Sequence, residues 1–220
     1  AMLKLLTDQP IRELDEPARD GLGFNTYAEV LASATLGTPG PFTIGVFGEW
    51  GTGKTSLMSM ICRELLNQPD VVTVWFNAWR FEQEQHPIVP LVATIVRGLE
   101  SHKSALQKLE DKGKALLTAL RAIAYGFSGK AKIALPGFPE IEASFVAKDM
   151  IEREEQIRPD PLLDRSLYYD AFERLSKIKI SGELKIVVLV DDLDRCFPDR
   201  AIALLESIKL VLSQPGFVFI

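Results

Sequence analysis

One octapeptide constrains this 220-residue chain more than any other feature: Gly48-Glu49-Trp50-Gly51-Thr52-Gly53-Lys54-Thr55. It fits G-x-x-x-x-G-K-[ST], a pattern that arises by accident in roughly half a percent of chains of this composition. The spacing has a physical reason. Glycine reaches backbone conformations closed to other residues, so successive N–H groups can turn toward one point and make a nest for an anion. A helix beginning at Lys54 adds the positive end of its dipole. Lys54 is long enough to reach the outer phosphates of a nucleotide, and the Thr55 hydroxyl is an oxygen donor of the kind Mg2+ takes. Gly48, Glu49, Trp50, Gly51, Thr52, Gly53, Lys54, Thr55 and Ser56 are therefore the candidate nucleotide-binding residues. The flanks agree with this. The apolar run Phe42 to Phe47 reads as a buried strand, and Leu57, Met60, Ile61 and Leu65 line the inner side of a helix over 54–67.

A second segment supplies carboxylates. Ile186 to Val190 is an unbroken apolar run and reads as a central strand buried on both faces. It ends in Asp191-Asp192-Leu193-Asp194-Arg195. A parallel strand ending in acids presents them at the carboxyl edge of the sheet, where ligands of open α/β sheets bind. Asp191 is placed to hold a magnesium shell and Asp192 to orient or activate water. Adjacent acids are also a common accident, so a purely structural reading of Asp192 stays open. Asp194 and Arg195 are open between a salt bridge that fixes the loop and a role across a subunit contact.

The rest of the chain is an ordinary globular sequence. Hydrophobic residues make up 47% and charged residues 25%, which excludes a disordered tail, a collagen or a mucin-like stalk. Two cysteines, Cys62 and Cys196, exclude a disulfide scaffold and fit a reducing, cytoplasmic compartment; Cys62 reads as a core residue. A net charge of −5 argues against general nucleic-acid binding. No apolar stretch of 18 residues exists, and no basic region followed by an apolar signal core opens the chain. His86 and His102 lack a second ligand at metal spacing and read as surface residues.

Periodicity adds helices over 26–36, with Tyr27, Val30, Leu31 and Leu36 as apolar positions, and over 89–102, 104–125, 141–156, 161–177 and 199–213, with a loop at 126–139. It adds strands over 71–76 and 217–220. Strands alternating with helices predict an α/β fold, a mostly parallel sheet flanked by helices. The chain reads as one domain, 1–220, with a core over about 20–100 and 183–220. More than a hundred residues separate the second strand from the acidic one, so a long helical insert, about 101–182, lies between them.

Three segments together resemble the KAP family of P-loop NTPases. They are Gly45-Val46-Phe47-Gly48-Glu49-Trp50-Gly51-Thr52-Gly53-Lys54-Thr55-Ser56, then Phe76-Asn77-Ala78-Trp79-Arg80-Phe81, and Val190-Asp191-Asp192-Leu193-Asp194-Arg195-Cys196. The resemblance covers about 22–100 and 183–220. It implies an ASCE-type core, with the catalytic acid next to the magnesium acid, and ATP as the ligand. It also implies an apolar and aromatic adenine pocket at Leu22, Gly23, Phe24 and Tyr27, with simple packing an equal alternative. Family members often carry paired membrane helices between the two nucleotide motifs. Here that slot, 104–132, holds only a thirteen-residue apolar run, Ala115 to Phe127, interrupted by Arg121, so a member lacking the pair is expected. With four core strands in view, the family's fifth strand and sensor region are expected beyond Ile220, in a chain shortened at its C-terminal end.

Beside strand two, Asn77 is a candidate for touching the γ-phosphate or attacking water. Trp79 reads as packing under the loop, and Arg80 as a contact for phosphate or a partner. No N/T-K-x-D follows the acidic strand, so guanine recognition has no support. The catalytic candidates are Lys54, Asp192 and Asn77, with Thr55 and Asp191 as metal ligands. The expectation is a Mg-dependent ATPase switch completed by a partner protein or by self-association, with Arg195 and Arg200 as weak finger candidates. The alternative is a nucleotide-gated scaffold that binds ATP with little hydrolysis. Finally, Lys103, Lys108, Lys112, Lys114, Arg121, Lys130 and Lys132 face only Glu110 and Asp111 across 103–132, beside an apolar stripe at Leu116, Leu117, Leu120, Ile123, Ala124 and Phe127. That pattern allows a peripheral contact with an anionic membrane, or simple packing on a neighbouring helix.

Overall fold

The computed structural model describes residues 20–84, 86–128, 170–180, 182–212 and 214–220. Four parallel strands form one sheet: β1 (Phe42–Thr43), β2 (Val71–Asn77), β3 (Lys185–Asp191) and β4 (Phe217–Phe219). Their order is β1-β4-β3-β2. The helices are α1 (Asn25–Gly37), α2 (Lys54–Leu66), α3 (Ile88–Ser101), α4 (Lys103–Lys108), α5 (Asp111–Ser128) and α6 (Pro198–Leu212). A further helical stretch covers 170–177. The helix expected over 141–156 and most of the one expected over 161–177 lie outside the described residues.

Alternation along β3 builds the two halves of the core. Ile186 and Val188 face a large cluster made with α3, α5 and α6, while Val187 and Leu189 face a smaller one made with α1 and α2. All four side chains are fully buried. Burying each contributes on the order of 1.5–3 kcal/mol, so β3 is the strand around which both layers condense. Its register places Asn77 opposite Asp191, which sets two site residues at one level of the carboxyl edge. At the other edge the Lys185 ammonium donates to Thr35 O (2.5 Å), Leu36 O (2.6 Å) and Thr38 O (2.7 Å), closing the carboxyl end of α1. Burial pushes this ammonium below the usual lysine value.

Four expectations change. The first strand is not six residues long. Only Phe42 and Thr43 are ladder residues, and Ile44 adds one hydrogen bond to Phe219 O (2.8 Å). A strand lasts only as long as its partner runs beside it, and Phe47 is 94% exposed. The inner face of α1 is Ala28, Ala32 and Thr35, while Tyr27 and Val30 lie outside. Small residues at this spacing let α1 lie close on α2. The single helix expected over 104–125 is two helices. They break where Glu110 takes φ 49°, and the backbone of Gly113 then passes so close to Leu106 O that a Cβ there would lie 2.7 Å from it.

From Leu116 to Ala124 the apolar stripe of α5 is not on the surface. Leu116, Leu120 and Ile123 are buried in the cluster that also holds α3. The basic residues beside it meet partners: Lys108 with Asp70, Lys112 with Glu183 and Arg121 with Glu100. The membrane-surface reading of 103–132 therefore loses the apolar face it needs, and packing on a neighbouring helix is what this stripe does. Among the described residues no helix is long and apolar enough to cross a membrane.

Candidate functional site

β1, β3 and β4 end together around a cleft of about 420 Å3, bordered by Gly48, Lys54, Asp191, Asp192 and Asp194. Thr43 to Gly48 line one side of it, and the loop continues from there to Gly53. Gly51 and Gly53 take φ 79° and 88°, in the left-handed region where a side chain is strained. Gly48 is needed for space instead, since a Cβ there would meet Thr52 Oγ1 at 2.5 Å. The Thr52 hydroxyl donates to Glu49 O (2.8 Å) and tightens the turn. Gly53 hands the chain to α2, and a Cβ on it would strike the Phe24 ring at 2.8 Å and Leu22 at 3.2 Å. Those two residues therefore lie against the helix start. Asp20, which the sequence reading passed over, shapes their segment: its carboxylate accepts N–H bonds from Leu22, Phe24 and Asn25 and is lowered below the usual range mainly by those from Phe24 and Asn25. Gly23 takes φ 71° in this turn, and Tyr27 is largely exposed.

Lys54 donates to Gly48 O (3.0 Å) and Glu49 O (3.1 Å) and is ion-paired with Asp194 Oδ2 (3.1 Å). Thr55 Oγ1 donates to Asp191 Oδ1 (3.0 Å), tying the loop to β3 across 136 residues of sequence. Ser56 is buried just behind. Burial raises the Asp191 carboxyl above the usual aspartate range, and the Thr55 hydrogen bond opposes that shift. Asp192 takes φ 56° and turns out of the strand direction. Its two oxygens are both engaged, Oδ2 by Asn77 Nδ2 (2.7 Å) and Oδ1 by Arg195 Nε (2.7 Å). Asn77 also accepts the Arg80 N–H through its own Oδ1 (2.9 Å).

The structure thus brings Lys54, Thr55, Asn77, Asp191 and Asp192 to one edge. Trp79 differs from expectation. It is 52% exposed and lies beside the Arg195 guanidinium, 5.8 Å from ring centre to Cζ, rather than under the loop. Trp50 is 78% exposed. Glu82 accepts the Phe197 N–H (2.7 Å), joining the segment after β2 to the start of α6. Arg200 donates to Glu84 O (3.4 Å). The Asp192–Arg195 pair lies within one charged run, where a salt bridge fixing the loop is one of the two expectations, whereas the Lys54–Asp194 pair joins distant segments and has no local signal.

The donor set suits a magnesium ion. Thr55 Oγ1 and Asp191 Oδ1 are adjacent oxygens, one neutral and one anionic, and oxygen donors are what that cation takes. The loop is equally suited to an anion, with two left-handed glycines and a helix start behind them.

Residues 24–220 match the KAP family P-loop domain. The phage T7 exclusion protein of Escherichia coli K12 is 23% identical over 94% of this chain, which spans only 29% of that protein's length. The uncharacterized protein MJ0182 of Methanocaldococcus jannaschii is 22% identical over 69% of this chain and 89% of its own. No solved structure matches the chain.

Proposed function

Since this chain belongs to the KAP family of P-loop domains, we propose that it binds ATP with magnesium at the carboxyl edge of the sheet and hydrolyses it as a molecular switch. The observation that carries this reading is the Thr55–Asp191 hydrogen bond, which joins the glycine loop to the acidic strand at the level of Lys54 and Asp192. In this reading the amides of Gly48 to Thr55 and the Lys54 ammonium hold the phosphates. Thr55 and Asp191 hold the metal. Asp192 orients a water for attack on the terminal phosphate, and Asn77 sets the direction of the Asp192 carboxylate through its side-chain amide. Bound magnesium would supply positive charge to the phosphate oxygens as the terminal bond breaks. Leu22 and Phe24, lying against Gly53, are the residues to cover the base, with Gly23 in the turn between them and Tyr27 exposed nearby in the sequence.

Arg195 and Arg200 are both engaged within the chain, so a partner protein or a second copy is the expected source of a further cation for the terminal phosphate. Both cysteines are thiols, which fits the cytoplasm. The name of the Escherichia coli relative makes phage exclusion a setting to test for this chain.

The test is ATP hydrolysis by the chain beside Lys54→Ala and Asp192→Asn. Hydrolysis only in the parent is expected, and equal phosphate release from all three overturns the proposal. A second reading, a nucleotide-gated scaffold with little turnover, is favoured by the double engagement of Asp192. Measured ATP affinity without detectable phosphate release would select it.

A further inference from the structure

We infer that Asp194 and Arg195 are the two arms of a clasp: Asp194 competes with phosphate for Lys54, and its displacement withdraws Arg195 from Asp192. The inference rests on the nucleotide reading above.

Four observations carry it. The Lys54 ammonium donates to Gly48 O and Glu49 O and is ion-paired with Asp194 Oδ2 at 3.1 Å. A phosphate must share this cation, and the carboxylate is the neighbour that a second anion repels. Asp194 and Arg195 are neighbours on one 3-10 turn, Leu193–Arg195. That turn is held by long hydrogen bonds, Arg195 N to Asp192 O and Cys196 N to Leu193 O, both 3.3 Å. Such bonds are near the weak limit, so the turn can re-form at small cost. Arg195, in turn, occupies one oxygen of Asp192 and lies beside the Trp79 ring. The pull on one arm is transmitted to the other through a single peptide unit. In the clasped form Asp192 has Arg195 on Oδ1 and Asn77 on Oδ2, which leaves its carboxylate poorly placed to take a water. Phosphate on Lys54 thus makes the acid available only when there is something to hydrolyse. Asp194 and Arg195 are positioning residues in this scheme, acting through Lys54 and Asp192.

Asp194 is half exposed, and an ion pair of that kind is worth up to about fivefold in an equilibrium constant. Asp194→Asn is therefore expected to tighten binding of ATP and of pyrophosphate, measured by calorimetry, by roughly two- to fivefold. A gain in affinity is not what damage to the fold would produce. Unchanged or weaker binding overturns the competition. A second readout needs no nucleotide. Trp79 emission, assigned by difference from Trp79→Phe, is expected to shift in Arg195→Gln and to shift the same way in Asp194→Asn. If Asp194→Asn leaves the emission at the parent value, or Arg195→Gln does not move it, the arms are not coupled and the clasp is wrong. Absence of ATP binding in parent and Asp194→Asn alike sinks the nucleotide reading and the competition with it, while the emission test still decides the coupling.

Discussion

Two lysines stand at opposite edges of the sheet, and each has three oxygen partners. Lys185 gives its protons to three backbone carbonyls at the end of α1. Lys54 donates to two carbonyls of its own loop and is ion-paired with the Asp194 carboxylate. The difference is in what the acceptors belong to. The carbonyls around Lys185 are fixed by a helix end, and nothing anionic competes for the ammonium, so this lysine is a cap. Of the acceptors around Lys54, one is a half-exposed side chain on a short turn, so this lysine can exchange partners. Saturation of donors alone does not separate a structural cation from a binding one. The mobility and charge of the acceptors do.

Substitutions can break that contrast. Lys54→Ala should weaken ATP binding at least roughly thirtyfold, about 2 kcal/mol, since it removes the cation from a charged contact. Its melting temperature should stay within about 1 °C of the parent, because Asp194 can turn to water. Calorimetry with thermal unfolding measures both. Lys185→Met should do the reverse. It strands the Thr35, Leu36 and Thr38 carbonyls and should cost about 1–2 kcal/mol, several degrees of melting temperature, with ATP affinity within about twofold.

Asp191→Asn sharpens the comparison from the acidic side. The folded Asp191 carboxyl lies above the ordinary value of 3.8, so keeping it ionised in the fold costs stability. That cost is complete above the folded value and disappears as pH falls toward 3.8. The variant should therefore melt higher than the parent at neutral pH, with the difference closing on acidification, while magnesium-dependent ATP binding is lost. Thermal melts from pH 7 down to pH 4 check the sign. The smallest effect is expected at Lys114, whose partner Asp111 is almost entirely exposed. Lys114→Ala should move the melting temperature by less than about 1 °C.

The parts of the fold that declared themselves in the sequence are those where backbone need and residue type coincide. The glycine loop, the amphipathic helix after it and the apolar run of β3 with its acidic end all appear where patterning places them. What escaped depends on neighbours far away in sequence. The length of β1 is set by how far β4 runs beside it, not by the apolar run from Phe42 to Phe47. The inner face of α1 is chosen by closeness to α2, so Ala28 and Ala32 lie inside while Tyr27 does not. The break at Glu110 follows from a buried Leu109 that no periodicity over 104–125 reveals. In the site, the glycine loop, Asp191 and Asp192 were legible. The partners of Asp194, Arg195 and Trp79 were not, because each partner is chosen by the geometry of the turn after β3.

The strand order bears on how the chain is made. β4 lies between β1 and β3, yet it follows both in the sequence. A ribosome therefore delivers the glycine loop early and the acidic strand much later, with the strand that separates them last of the three. Until residues 217–219 emerge and insert, β1 has no hydrogen-bonded neighbour among the described strands, and only the packing of α2 on β2 and β3 sets where Thr55 stands relative to Asp191. The pairing closes a loop of nearly the whole sequence, a slow, non-local step. A nascent or prematurely released chain that stops before 217 carries every residue of the loop and both aspartates, but the strand leading into the loop has no ladder partner to anchor it. The topology thus makes the anchoring of the loop's leading strand a late event, after both nucleotide motifs have been made.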